Sequence, residues 1–254
     1  MGVKGKALKW FQSYLNERRQ QTVVEHTDEN GKMQKHFSIP SKVQTGVPQG
    51  SILGPILFLI YINDIANYIP GHLLTIFADD TSLLLRNKNL GILELETFLQ
   101  INMLYQYFAD LNLHINSSKT NFIHIMSNQR RQYMNMTGSA LPSVMLNDEF
   151  IEESSTVEYL RVTLDNSLRW NEQVNKLAGQ LSGSIHVLRH ISKLNNIQLS
   201  KLVYFALVES LIRYSVIFWG NSSKKNLNII FGLQKKALRC HFKFKAHRIL
   251  FKSF

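Results

Sequence analysis

The stretch "TIFADDTSLLL", residues 75–85, sets two adjacent carboxylates, Asp79 and Asp80, inside an apolar run. Its flanks, residues 73–78 and 82–85, are short, apolar and partly β-branched. That pattern predicts two strands with the aspartates at the turn between them. An isolated carboxylate buried in such a place would shift its pKa and become neutral, whereas a pair at a hairpin tip stays ionised by holding a cation. Hard oxygen ligands suit Mg²⁺ best. The competing reading is a polar turn pointing into water, since aspartate forms turns for purely local reasons.

The rest of the chain decides between these readings. At 254 residues it is long enough for one large domain or two small ones with a proper core. A hydrophobic fraction of 44% and a charged fraction of 19% exclude a disordered chain. The net charge of +11, from 29 Lys+Arg against 18 Asp+Glu, favours a polyanionic partner, of which nucleic acid is the commonest. The single cysteine, Cys240, excludes an internal disulfide and a thiolate metal cluster, and fits a reducing compartment. The N-terminal "MGVKGKALKWF" lacks the apolar core of a secretory signal and reads as an amphipathic helix. The apolar run "SILGPILFLIYI", residues 51–62, is too short to span a bilayer, and "VYFALVESLIRYSVIFWG" is interrupted by Glu209 and Arg213. The expectation is an intracellular protein, nuclear or cytoplasmic, not secreted and with no membrane segment.

Along the chain, Val3, Ala7, Trp10, Phe11, Tyr14 and Leu15 recur at helical spacing, predicting a helix over 3–16. "QQTVVEH" and "KMQKHFSIP" flank Asn30-Gly31, a hairpin signal. Gly and Pro punctuation then predicts a loop to about Ser51, followed by a helix from Ile52 or Pro55 to Ile69. After the Asp79-Asp80 hairpin, a stripe from Leu90 to Phe108 predicts a long amphipathic helix. "LHINSSKTNFIHIM" reads as strand, polar turn and strand. A second hairpin turns at Asn147-Asp148, and "STVEYLRVTLD" is a further strand pair or strand and turn. From Trp170 the pattern is helical: one stripe runs from Trp170 through Val174, Leu177, Leu181, Ile185 and Leu188 to Ile191, and others span 202–219 and 227–239. The chain is thus mixed α/β to about residue 168 and all-helical beyond it. Trp10, Trp170 and Trp219 read as core residues, and His114, His124, His186 and His190 offer no ligand spacing on which to assign a metal.

Together, these segments resemble the reverse transcriptase of non-LTR (LINE-like) retrotransposons, nearest to the jockey type. "GVPQGSILGPILFLIYINDI", residues 46–65, is similar to the family's nucleotide- and template-handling segment. "FADD", residues 77–80, resembles its catalytic hairpin. "LNLHINSSKT", residues 111–120, resembles the following motif, with the family lysine at Lys119. "VEYLRVTLDNSLRWNEQV", residues 157–174, is similar to the primer-grip hairpin and the start of the thumb. "RYSVIFWGNSSKKNLNIIFGLQKKALR", residues 213–239, matches the thumb tail.

The resemblance implies an α+β right-hand polymerase fold: a partial fingers/palm sheet with packed helices, followed by an all-helical thumb. It places a residual fingers/palm segment at 1–48, the palm with the FADD hairpin and primer grip at 49–168, and the thumb and C-terminal tail at 169–254. Asp79 and Asp80 become catalytic ligands of two Mg²⁺ ions, which activate a primer 3′-OH and neutralise the triphosphate. Gly46, Gly50 and Gly54 leave room for a substrate backbone, although Gly50 and Gly54 also read as turn and cap residues. Gln49 and Gly50 touch template or nucleotide, Lys119 stands near the triphosphate, and Leu160 and Arg161 form the primer grip. Lys224, Lys225, Lys235, Lys236 and Arg239 track duplex phosphates, unless they are simply a solvated helix face. The implied partners are an RNA template, a DNA primer and dNTP; the oligomeric state is left open.

Two departures qualify that reading. The family's third aspartate belongs to an "AFD"-type motif shortly before the segment that here reads "GVKGKALKWFQSYLNERRQ". Met1 stands just after that place, and the first aspartate is Asp28, on a hairpin. Arg161 occupies the usual glycine of "YLGV", where a positive φ would strain any other residue. The expectation is an RNA-directed DNA polymerase domain, truncated and inactive alone. The alternative is a non-catalytic nucleic-acid-binding remnant. A third outcome, a product that folds poorly, follows if a lost palm strand opens a sheet edge.

Overall fold

The repeating Trp10, Phe11, Tyr14 and Leu15 do form a helix, α1 (Gly5–Leu15), in the computed structural model, which describes residues 2–28, 31–69, 73–146 and 149–242. The chain divides into two units, Met1–Leu85 and Arg86–Phe254.

In the first unit, the short pair β1 (Arg19–Gln20) and β4 (Ser41–Lys42) brackets the hairpin of β2 (Val23–Thr27) and β3 (Met33–Phe37). The expected turn lies partly outside the described residues, at Asn30; Gly31 takes the left-handed conformation, φ 77°, that such a turn requires. Helix α2 (Gly54–Tyr61) is shorter than its apolar run predicts. The chain turns at Ile62–Asp64 and resumes only as a single 3₁₀ turn, Ile65–Asn67. Asn63 and Asp64 favour turns over helix interior, and the break lets Ile62, Ile65 and Ile69 all be buried. Strands β5 (Leu73–Phe77) and β6 (Asp80–Leu84) close the unit as a hairpin. Trp10 is not core: it is 52% exposed, stacked on Tyr14 with ring centroids 5.3 Å apart, and α1 buries no residue.

The second unit opens with α3 (Leu90–Asp110), capped by the Asn89 side chain. The strands expected in 113–126 do not form. The segment runs past the loops after it, joined by a lone bridge from Phe122 to Glu153 and by bonds such as Met126 N–H to the Asn166 carbonyl, 3.1 Å. Apolar alternation predicted strands, but no continuous partner strand lies alongside. A helix the pattern did not suggest follows, α4 (Asn128–Thr137), with Ser127 as its cap and Gly138 at φ 64° ending it. Strands β7 (Val144–Leu146) and β8 (Glu149–Ile151) form the second expected hairpin, its turn lying outside the described residues. Strands β9 (Thr156–Tyr159) and β10 (Val162–Asp165) form a third. Among the described residues the strands make five separate antiparallel pairs, so the expected fingers/palm sheet is not assembled as one sheet.

Beyond Asp165 the described chain is helical. The junction is organised by Asp165, whose carboxylate accepts from Ser167 N–H (3.1 Å) and Oγ (2.8 Å), Arg169 N–H (3.0 Å) and Trp170 N–H (2.7 Å). Burial alone would raise its pKa, but these bonds outweigh burial and hold it below the ordinary value. Helix α5 (Asn171–Lys193) follows, and its stripe of Val174, Leu177, Leu181, Ile185 and Leu188 is buried. These residues pack with Tyr204, Val208, Trp219, Ile230 and Ala237 into one core.

The stripe over 202–219 predicts one helix, yet four pieces occur: α6 (Ile197–Tyr204), a π-segment (Phe205–Glu209), α7 (Ser210–Arg213) and α8 (Val216–Trp219). The break at Tyr214-Ser215 serves two contacts. Trp219 Nε1–H donates to the Tyr214 carbonyl at 3.1 Å, and Tyr214 Oη–H donates to the Leu160 carbonyl at 2.6 Å. Helix α9 (Lys224–Phe242) completes the described chain. Buried Asn226 reaches back from it to the Arg169 carbonyl (3.3 Å) and Asn171 Oδ1 (3.0 Å). Among the described residues no helix is long and apolar enough to cross a membrane.

Candidate metal-binding hairpin and nucleic-acid interface

Phe77 pairs with Asp80 in the β5–β6 register, which leaves a two-residue loop of Ala78 and Asp79. Asp79 is therefore the loop residue and Asp80 opens the returning strand. Ala78 adopts φ 53°, a left-handed conformation that costs an alanine on the order of 1 kcal/mol. Both aspartates are exposed. The burial penalty that the apolar flanks suggested does not arise, because water solvates the pair directly. Adjacent carboxylates offer the hard oxygen donors that a divalent ion such as Mg²⁺ takes. Among the described residues, however, no three His, Cys, Asp or Glu side chains converge to hold an ion. The donors suit one hard cation in kind but are too few for two. Asp28 does not extend the set: its carboxylate accepts from Lys32 N–H (2.8 Å) and Gln34 Nε2–H (3.1 Å) within its own hairpin turn.

In the same unit, Gly46 and Gly50 have φ of 74° and 76°, and a Cβ on either would meet no atom within 4 Å. The Gly46 carbonyl accepts from the Arg18 guanidinium. Gly54 is different. Its N–H donates to Ser51 Oγ at 3.0 Å, and an added Cβ would lie 3.0 Å from that oxygen and 3.4 Å from the Pro48 carbonyl. Glycine here lets the loop close onto itself at the first residue of α2, where Leu53 holds the cap position. Gln49 is exposed beside Gly50.

The second unit carries the other expected residues. Lys119 is exposed at the end of a 3₁₀ turn, Ser117–Lys119, its N–H donating to the Asn116 carbonyl at 3.1 Å. Leu160 and Arg161 form the two-residue loop of the β9–β10 hairpin, with φ of 47° and 63°. Positive φ at both positions is the twist-matched hairpin turn that favours Asn-Gly. Arg161 is thus strained where a glycine would not be, and the turn is held by Tyr214 on its Leu160 carbonyl. The hairpin is also tied to α5, through Thr163 N–H to Gln173 Oε1 (2.9 Å) and the Lys176–Glu158 ion pair (2.8 Å). Replacing Arg161 by glycine is expected to raise stability by about 0.5–1 kcal/mol, the relief of αL strain less glycine's added unfolded-state entropy. Urea unfolding measures it, and an unchanged or lowered midpoint would show that the turn carries no such strain.

Lys224, Lys225, Lys235, Lys236 and Arg239 all lie on α9 and are all exposed. At 100° per residue they fall within an arc of about 120°, opposite the buried Asn226, Ile230 and Ala237. Asp165, Gln173, Tyr214 and Asn226 escaped the sequence reading. Only Asp165 left a signal, the "LDNS" Asx pattern of a side chain bonding its backbone two residues on.

A family model described as "Reverse transcriptase (RNA-dependent DNA polymerase)" matches residues 1–164. The RNA-directed DNA polymerase from mobile element jockey of Drosophila melanogaster is 28% identical over 209 residues, covering 78% of this chain and 22% of that protein. The probable RNA-directed DNA polymerase from transposon BS of the same species is 26% identical over 241 residues, covering 90% of this chain and 25% of that one. The probable RNA-directed DNA polymerase from transposon X-element, also from Drosophila melanogaster, is 25% identical over 216 residues, with coverages of 80% and 22%. The chain spans about a quarter of the length of the curated relatives it matches. No solved structure matches.

Proposed function

The chain belongs to the reverse transcriptase (RNA-dependent DNA polymerase) family, in its non-LTR retrotransposon branch, and from that membership we propose that it is the palm and thumb portion of an RNA-directed DNA polymerase. In this reading the palm occupies 49–168 and the thumb follows it, with a residual fingers/palm segment before. The chain grips a primer–template, and Asp79 and Asp80 are two of the carboxylates of a nucleotidyl-transfer site. The observation that carries the reading is the β5–β6 tip. An alanine in a strained left-handed conformation holds two adjacent carboxylates exposed on a hairpin in fixed register. Strain of this kind is a common mark of a site whose geometry matters.

Asp79 and Asp80 would hold Mg²⁺, which would supply Lewis acidity toward a 3′-OH and charge neutralisation for a leaving pyrophosphate. The chain's own residues do the rest. In the first unit Asp79 and Asp80 supply oxygen donors and the open backbone at Gly46 and Gly50 admits a substrate close to the chain; in the second, Lys119 is an exposed cation of the kind that suits a triphosphate. Leu160 and Arg161 present the hairpin turn to the primer end. The cations of α9 run along the duplex backbone, where phosphate contacts position without reading sequence. Because two carboxylates do not complete a two-ion site, the chain by itself is expected to bind and not to extend.

Primer extension on an RNA template with Mg²⁺ or Mn²⁺ tests this, using the chain and its Asp79→Asn variant beside a salt titration of primer–template binding. Salt-sensitive binding without extension in either chain is the expected result. Extension that the substitution removes would show a complete catalytic centre and overturn the reading of the isolated chain as inactive. Absence of binding at low salt would overturn the grip itself.

A further inference from the structure

Helix α5 carries a second kind of chemistry on the face away from its core stripe. Ile185 and Leu188 are buried, while His186 and His190 are both exposed. The two histidines stand one turn apart, with ring centroids separated by 4.5 Å and ring planes at 52°. His190 Nδ1 lies 3.0 Å from the His186 carbonyl oxygen. A neutral imidazole that donates Nδ1–H to a carbonyl keeps its lone pair on Nε2. Metal-ligating histidines are oriented in the same way by a backbone acceptor.

The spacing can be compared with what one ion would demand. An imidazole centre lies about 3.2 Å from an ion its nitrogen ligates at about 2.0 Å, so two rings at about 90° have centres about 4.5 Å apart, and at the tetrahedral angle about 5.2 Å. The observed centroid separation of 4.5 Å matches the first of these spacings. Packing of the opposite helix face fixes the backbone under both rings, so little ordering remains to be done when an ion binds.

We infer that His186 and His190 form a two-imidazole chelate for a borderline divalent cation, Cu²⁺, Ni²⁺ or Zn²⁺, on the exposed face of α5. Imidazole nitrogen selects these ions, whereas Mg²⁺ and Ca²⁺ take oxygen, so the site differs in ligand chemistry from the Asp79-Asp80 pair. Two protein ligands leave the other coordination positions to water, which marks an exchangeable site rather than a structural four-ligand one. Arg189 and Lys193, exposed nearby on the same helix, oppose an added cation and hold the affinity down. The sequence alone offers no ligand spacing on which to assign a metal here; the paired rings and the carbonyl-anchored His190 are features of the folded helix.

His26 and His36, with ring centroids 4.8 Å apart on the β2–β3 hairpin, are a competing pair, so the test removes them. The full chain carrying His26→Ala and His36→Ala is titrated with CuCl₂ and with NiCl₂ by calorimetry, and the Cu²⁺ complex is read by electron paramagnetic resonance. The expected result is one ion per chain, with hyperfine splitting from two imidazole nitrogens. Adding His190→Ala is expected to lower the affinity ten- to a hundredfold. The metal-dependent rise in thermal midpoint should disappear with either His186→Ala or His190→Ala. Circular dichroism melts without metal check that each variant folds. An isotherm unchanged by His190→Ala, or a spectrum with one nitrogen, overturns the site.

Discussion

Truncating Leu181 to alanine is expected to lower the stability of the helical part by about 3–4 kcal/mol, bringing the thermal midpoint down by roughly 10 °C. Leu181 sits at the middle of the α5 stripe with 0% of its surface exposed, between Leu177 and Ile185, in the core shared with α6, α8 and α9. Removing its branched end deletes transfer energy and leaves a cavity that rigid neighbours fill only in part. Against a total stability of about 5–15 kcal/mol, such a loss is a large fraction. Leu202→Ala is the control, because Leu202 is 67% exposed on α6 and its removal should change stability by no more than about 0.5 kcal/mol. Leu181→Met, which keeps the volume, should cost less than about 1.5 kcal/mol. Equal losses for Leu181→Ala and Leu202→Ala in urea unfolding would mean that α5 does not anchor this core.

The second large effect concerns charge. Replacing Lys224, Lys225, Lys235, Lys236 and Arg239 together by glutamine should flatten the salt dependence of primer–template binding. Each phosphate neutralised contributes about 0.9 to the slope of log K against log salt on a duplex, so the slope should fall by up to about 4.5. Raising salt from about 50 to 200 mM would then cost the original chain up to about 500-fold more affinity than the variant. Glutamine has a helix propensity close to that of lysine and arginine, and the five positions lie opposite the buried side of α9, so the helix should persist. A slope that stays within one unit of the original would show that this face does not meet the nucleic acid. The five cations would then be the solvated surface that their exposure equally allows.

Much of the fold was legible because its elements are local. The α5 stripe, the β5–β6 hairpin and the two hairpins near Gly31 and Asn147 follow from apolar period and turn residues within a dozen positions of each other. At Arg161 the resemblance raised only the condition of a positive φ; the two-residue β9–β10 loop, with φ 63° at Arg161, meets it. The exposure of Asp79 and Asp80 was not legible: apolar flanks suggest burial, yet the tip of a two-residue loop lies open to water. Helix α4 went unseen because "NQRRQYMNMT" has no apolar stripe, and only Met134 among its residues is buried.

The sequence by itself determined the family, the hairpins at Gly31, Asp79 and Asn147, the change from mixed to helical structure near residue 168, and the identity of the core stripe on α5. These depend on short-range periodicity and turn chemistry, and on motifs whose order survives in one dimension. Tertiary structure decided where the 202–219 helix breaks, because Tyr214 must reach the Leu160 carbonyl and receive Trp219 Nε1–H. It also decided that 113–126 lacks a strand ladder, that Asn226 is buried against the start of α5, and that the His186 carbonyl orients the His190 ring. The Tyr214 and Asn226 side-chain bonds join residues far apart in the chain, and even the histidine pair sits on a helix held by a core assembled from other helices. Periodicity records which face of an element is apolar; it carries no record of which distant group will satisfy a given donor.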